Sequence, residues 1–173
     1  MWISDNLFNP PEVAEWRHVP ENEFSRYTIN LATGDVSKSI FLNKVNSVFV
    51  NMFDFPIINE QYRGKEYCFA YGISMINYSR TAIVKKDVCG TSTDRVWYKE
   101  NHYLSEIWFY PDPDAHSEDD GVIMTIAYDG EKRLSYLMFL DGVTLETIGI
   151  SYLPVNVPWS AHGMHFPEAQ YDF

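Results

Sequence analysis

Residues 121 to 153 read GVIMTIAYDGEKRLSYLMFLDGVTLETIGISYL. Three runs in this stretch alternate apolar with polar or small residues: Gly121 to Tyr128, Leu134 to Leu140 and Thr147 to Leu153. The connections between them, Asp129-Gly130-Glu131-Lys132 and Asp141-Gly142-Val143-Thr144, have the composition of tight turns. A period of two residues puts every second side chain on one face, so each run reads as a half-buried strand and each connection as a hairpin. With Ile107 to Tyr110 ahead of them, the four runs make a sequential antiparallel sheet, the unit from which a β-propeller blade is built.

The same grammar continues toward the N-terminus. Tyr67 to Ile73, Thr81 to Asp87 and Arg95 to Tyr98 read as strands, with a loop at Cys89-Gly90-Thr91-Ser92-Thr93. Glu23 to Leu31 and Val36 to Leu42 read as a hairpin turned by Ala32-Thr33-Gly34-Asp35, where Gly34 supplies a positive φ. No window of eleven or more residues keeps a helical period. The fold class is therefore all-β, built of antiparallel sheets. Blade-type repeats run to roughly 40 to 50 residues, which gives this chain the length of about four. An open stack of blades leaves a wide apolar face uncovered, so the expectation is a partial β-propeller belonging to a larger ring.

Composition narrows the function classes. Thirteen Lys and Arg stand against 24 Asp and Glu in 173 residues, a formal charge of −11. Affinity for nucleic acid rests on neutralising phosphates, and the basic residues here are scattered, so nucleic acid is set aside as a partner. Hydrophobic residues at 46% and aromatics at 16% supply ample core material for strands. No apolar run reaches the roughly 18 residues of a spanning helix, and the first residues lack the pattern of a secretory leader, so a cytoplasmic location is expected. Two cysteines, Cys68 and Cys89, are too few for a disulfide framework and read as reduced thiols.

Three blocks carry a resemblance. The first is Phe53-Asp54-Phe55-Pro56-Ile57-Ile58-Asn59, followed by Tyr62, Arg63-Gly64-Lys65 and Tyr67-Cys68-Phe69-Ala70-Tyr71-Gly72. The second is Pro113-Asp114-Ala115 with Glu118-Asp119-Asp120-Gly121-Val122 and the strand and turn from Leu137 to Leu145. The third is Val155-Asn156-Val157-Pro158 leading to His162-Gly163 and Phe166. In order and spacing these resemble the carotenoid cleavage oxygenase family, animal type, from about Glu23 to Phe166. Residues 1–22 match nothing in it.

The resemblance implies a seven-bladed propeller with iron on its axis, of which residues 1–173 are a single C-terminal portion whose remaining blades lie elsewhere. In that family four neutral histidines hold Fe2+ and leave positions open for O2, and carboxylates accept hydrogen bonds from the far ring N–H groups. On the family pattern His162 is one iron ligand. Asp54 stands where the family places a glutamate that holds a ligand histidine, and its side chain is one methylene shorter. His18, His102, His116 and His165 match no ligand position and read as surface or loop residues.

The implied activity is oxidative cleavage of a carotenoid or apocarotenoid double bond into two carbonyl products. Retinoid isomerohydrolysis on the same scaffold stays open as an alternative, as does a truncated, metal-free and inactive chain. Peripheral contact with a membrane is compatible with so apolar a substrate, although no basic amphipathic helix supports it. Glu118-Asp119-Asp120 lacks the alternating oxygen ligands of a calcium loop and reads as a structural turn. Trp97, Trp108, Tyr110 and Trp159 are candidates for either a polyene tunnel or the core, with Trp159 nearest His162 in sequence.

Overall fold

A computed structural model describes residues 24–41, 54–76, 80–90, 94–158 and 162–163. Strands β1 (Ser25–Ile29) and β2 (Val36–Ile40) pair as an antiparallel hairpin, with Gly34 at φ 78° in its turn. The Asn30 side chain accepts the Ala32 N–H at 2.9 Å and so closes that turn. A second sheet runs in chain order through β3 (Asp54–Ile57), β4 (Phe69–Ile76), β5 (Arg80–Asp87) and β6 (Arg95–Tyr98). A third does the same with β7 (His102–Pro111), β8 (Gly121–Asp129), β9 (Leu134–Asp141) and β10 (Thr147–Tyr152). Every pairing is antiparallel, and the helical content of the described residues is one 3-10 turn at Glu60–Tyr62.

Alternation explains most of this. Along β8, Ile123, Thr125, Ala127 and Asp129 are buried and their neighbours are half-buried. Met138 and Leu140 of β9 do the same from the next strand. These side chains meet Tyr71, Ile73 and Ile83 of the preceding sheet, and Leu104 and Ile107 of β7, in one core between the two four-stranded sheets. Each large apolar side chain fully withdrawn there contributes about 1.5–3 kcal/mol relative to exposure. On the outer surfaces, Tyr27, Ile29, Leu31 and Val36 of the first hairpin and Ile148 and Ile150 of β10 remain exposed.

Two features depart from the sequence reading. β7 begins at His102, well before Ile107, and β3 forms where only a motif was read. Both strands carry a bulge, and a bulge interrupts the period of two by which strands are recognised.

The acidic turn before β8 is a latch between the sheets. Both Glu118 carboxylate oxygens accept backbone N–H groups at the start of β4, Cys68 at 2.7 Å and Phe69 at 2.8 Å. The Glu118 carbonyl accepts from Asn59 Nδ2 at 2.9 Å. Lys85 of β5 reaches across to the Asp119 carboxylate and to the Val143 carbonyl, with its ammonium 4.3 Å from the centroid of the Phe69 ring. Tyr71 adds a hydrogen bond to the Gly142 carbonyl at 3.0 Å. Burial pushes the Tyr71 phenol well above its ordinary value, so it acts as a neutral donor.

Two expectations are corrected. Cys68 and Cys89 are not reduced thiols but form a disulfide, with Cα atoms 5.0 Å apart. The register Phe69↔Asp87 brings the start of β4 beside the end of β5, so residues 21 apart in sequence become neighbours across a hairpin. His102 is not a surface residue: it is buried at the start of β7, its Nδ1 2.7 Å from the Tyr136 hydroxyl and Trp97 edge-on to its ring. His116 does lie in an exposed loop, its N–H bound by Asp120. His18, His165 and Trp159 lie outside the described residues.

Candidate functional site

The site is assembled from three parts of the chain that sequence separates widely. The first is β7, whose pairing with β8 shifts by one between Leu104↔Ala127 and Ile107↔Thr125. Two residues, Ser105 and Glu106, therefore face one, Ile126. The shift lets Leu104 and Ile107, three apart, both enter the core, which a regular strand forbids. Glu106 is thereby rotated away from the face Leu104 occupies and shares its side of the strand with Trp108.

That side receives the second part, His162-Gly163. The Gly163 N–H donates to Glu106 Oε2 at 2.8 Å, and the Gly163 carbonyl accepts from Trp108 Nε1 at 3.3 Å. A Cβ at position 163 would lie 2.9 Å from Trp108 Cζ2, so the indole and the backbone approach as closely as they do because this residue is glycine. With Gly163 clamped on both sides, the imidazole of His162 sits beside the same carboxylate, Nδ1 3.5 Å from Glu106 Oε1. That distance exceeds a full charge-assisted hydrogen bond, so Glu106 orients the ring more by attraction than by a tight contact. The His162 side chain is 78% exposed and Glu106 18%.

The third part is β3. Its pairing with β4 also shifts by one, between Asp54↔Ile73 and Ile57↔Tyr71. Phe55, inside this bulge, has φ 49°, a left-handed conformation rare for a residue with a bulky side chain. Its ring meets that of His162 edge to face, centroids 5.5 Å apart. The adjacent Asp54 carboxylate accepts the Phe55 N–H at 2.9 Å and so helps hold the bulge.

The arrangement suits one arm of a metal centre. An imidazole whose Nδ1 faces a carboxylate presents Nε2 as the ligating atom, in the tautomer a divalent metal requires. Among the described residues no group of three or more His, Cys, Asp and Glu is placed to hold a metal. The structure brings together His162 and Glu106, where sequence reading named His162 and Asp54. Glu106 was legible only as an acidic residue amid the apolar run Leu104 to Phe109. Of the aromatic candidates, Trp108 packs on the histidine segment, while Trp97 packs on the core and donates to Thr147 Oγ1 at 3.1 Å. Tyr110 is half-buried, and burial raises its phenol. No helix among the described residues is long and apolar enough to cross a membrane.

Comparison with known proteins places the chain in a family. The family model described as retinal pigment epithelial membrane protein matches residues 2–167, so the likeness reaches into residues 1–22, which the three motif blocks had left unmatched. The mitochondrial carotenoid-cleaving dioxygenase of Macaca fascicularis is 33% identical over 116 residues, covering 66% of this chain and 21% of the relative. A carotenoid cleavage oxygenase of Mycobacterium tuberculosis is 31% identical over 150 residues, 82% of this chain and 28% of the relative. Among solved structures, cobalt-substituted Synechocystis ACO superposes with a TM-score of 0.70 at 23% identity, over 85% of this chain and 30% of that one. The chain thus spans between a fifth and a third of the length of these relatives.

Proposed function

Because this chain belongs to the family that unites the retinal pigment epithelial membrane protein with the carotenoid cleavage oxygenases, we propose that it supplies one histidine ligand and part of the substrate wall of an Fe2+-dependent dioxygenase that splits a carotenoid or apocarotenoid double bond. The observation that carries this reading is the clamp on His162-Gly163: Glu106 at the Gly163 N–H and beside His162 Nδ1, and Trp108 at the Gly163 carbonyl. His162 would hold iron through Nε2, and the iron when bound would supply activation of O2. Three further ligand histidines are proposed to come from outside these 173 residues, with Asp54 holding the ring N–H of one of them. The exposed apolar strand β10 is then a face for a neighbouring blade. Phe55 and Trp108 give the site an apolar wall suited to a polyene, and access to so apolar a substrate is proposed to involve contact with a membrane surface. Relatives that act on carotenoids favour dioxygenase chemistry over retinoid isomerohydrolysis.

The test is a graft of this chain into Synechocystis ACO, in place of the portion it matches, as wild type and as His162→Ala. Iron content and conversion of an apocarotenal to two carbonyl products are both expected in the wild-type graft and lost in the variant. A folded graft whose iron content is indifferent to His162 removes the ligand assignment. Iron without cleavage removes the proposed reaction.

A further inference from the structure

The bulge that aims Glu106 has a hydroxyl built beneath it. Thr125 of β8 is fully buried on the core face, where Ile123 and Ala127 flank it as apolar residues. Its Oγ1 lies 3.0 Å from the Ser105 carbonyl and 3.0 Å from the Glu106 carbonyl, the two residues of the bulge, and 3.1 Å from the carbonyl of Ile126, the residue they face. A threonine hydroxyl has one proton to give, so three acceptors converge on a single donor. An apolar side chain would fill the same space, as Ile123 and Ala127 do on the same face of β8. What the hydroxyl adds is a donor to the carbonyls at the point where the register shifts by one residue.

We infer that Thr125 is a positioning residue for the metal-ligand arm: its hydroxyl fixes the Ser105-Glu106 bulge, and through it the carboxylate that holds Gly163 and orients His162. The inference rests on the reading of His162 as a ligand for its function, but its geometry is independent of that reading. Without the hydroxyl, the two bulge carbonyls lose the donor they share. The strand relieves this by relaxing the bulge, and a register change of one residue turns Glu106 toward the face now occupied by Leu104. The consequence is local: Gly163 loses its acceptor, and His162 loses the carboxylate beside Nδ1.

The test uses the 15N-labelled chain as wild type, Thr125→Val and Thr125→Ser. Two signals are read at one fixed pH: hydrogen exchange of the Gly163 amide, and the His162 tautomer from long-range ring 15N–1H correlations. Thr125→Val is expected to speed Gly163 exchange at least about tenfold and to lower the share of Nδ1–H tautomer, while amides of β9 change less than about twofold. Thr125→Ser, which keeps the hydroxyl, is expected to restore both signals to wild type. Thr125→Ala carries the same expectation as valine should that variant not fold. Gly163 and His162 signals unchanged in Thr125→Val and Thr125→Ala overturn the inference, and so does an equal acceleration across β8, β9 and Gly163, which marks a merely structural threonine. Paramagnetic Co(II) added to the wild type tests the ligand reading separately. If His162 resonances ignore Co(II) while the threonine effect persists, the ligand assignment falls and the positioning role stands.

Discussion

Replacing Lys85 by methionine should loosen the two sheets from one another, and the size of the effect follows from what the ammonium touches. The Lys85 side chain is 1% exposed and that of Asp119 is 10% exposed. The ammonium satisfies the Asp119 carboxylate and the Val143 carbonyl at 2.9 Å, and it lies over the Phe69 ring. Burial lowers its affinity for a proton, and the hydrogen bond and charge of Asp119 work against that. Methionine fills a similar volume but leaves Asp119 buried with the Ser117 hydroxyl as donor. Breaking a buried pair from one side costs about 3–5 kcal/mol. For a chain of this size each kcal/mol moves the midpoint by about 2–4 °C, so a fall of about 10 °C is expected. The assay is thermal and urea unfolding of wild type, Lys85→Met, Asp119→Leu and the double variant. The double variant should recover most of the loss, because no charge is then stranded. Single variants within about 1 kcal/mol of wild type, or a double variant whose loss is the sum of the two, would refute the account of a desolvated and mutually dependent pair.

Further outcomes are expected. Burial lowers the His102 pKa below its ordinary 6.5, so between the lowered value and about 6.5 the unfolded chain binds more protons than the folded one. Stability should therefore rise with pH through that window and fall on acidification, and His102→Gln should flatten this segment of a stability-against-pH curve. Gly163→Ala pushes a methyl to within 2.9 Å of Trp108 Cζ2 and should displace the His162 segment, seen as a red shift and quenching of Trp108 fluorescence, with the unfolding midpoint changed by less than about 3 °C. Reduction of the Cys68–Cys89 disulfide, which spans 21 residues, should cost about 3 kcal/mol by the loop-entropy relation, read from urea midpoints with and without reductant.

What was legible in the sequence was the part of the fold that obeys a strict period. β8 alternates cleanly and β9 does so from Tyr136 onward, and the turns beside them carry Asp-Gly or Asp-x-x-Thr chemistry that also marks the start of β10, so the limits of these strands were readable to within a residue or two. β3 and the first half of β7 were not, because each contains the extra residue that shifts the pattern by one. The disulfide was missed for a related reason. Spacing along the chain does not give the register of a hairpin, and only the pairing Phe69↔Asp87 sets Cys68 beside Cys89. His102 was misjudged because its partner, Tyr136, is 34 residues away and supplies the hydrogen bond that makes a buried imidazole tolerable.

The site shows the same limit from the functional side. His162 could be read from the short motif around it, whereas Glu106 lies 56 residues earlier and its role depends on a bulge no alternation rule foresees. The two observations share a physical cause. His162 and Gly163 lie in no strand, and Gly163 is held by side chains projecting from β7. A regular strand, however, presents residues to its two faces by a fixed alternation and must keep one face for the core. Glu106 and Phe55 each reach His162 from a strand with one residue inserted, in two different sheets. The irregularities that hid these strands from the sequence are thus what frees a carboxylate and an aromatic ring from the alternation, and each is braced locally: the bulge carbonyls of β7 by the Thr125 hydroxyl, and the left-handed Phe55 of β3 by the Asp54 carboxylate at its N–H.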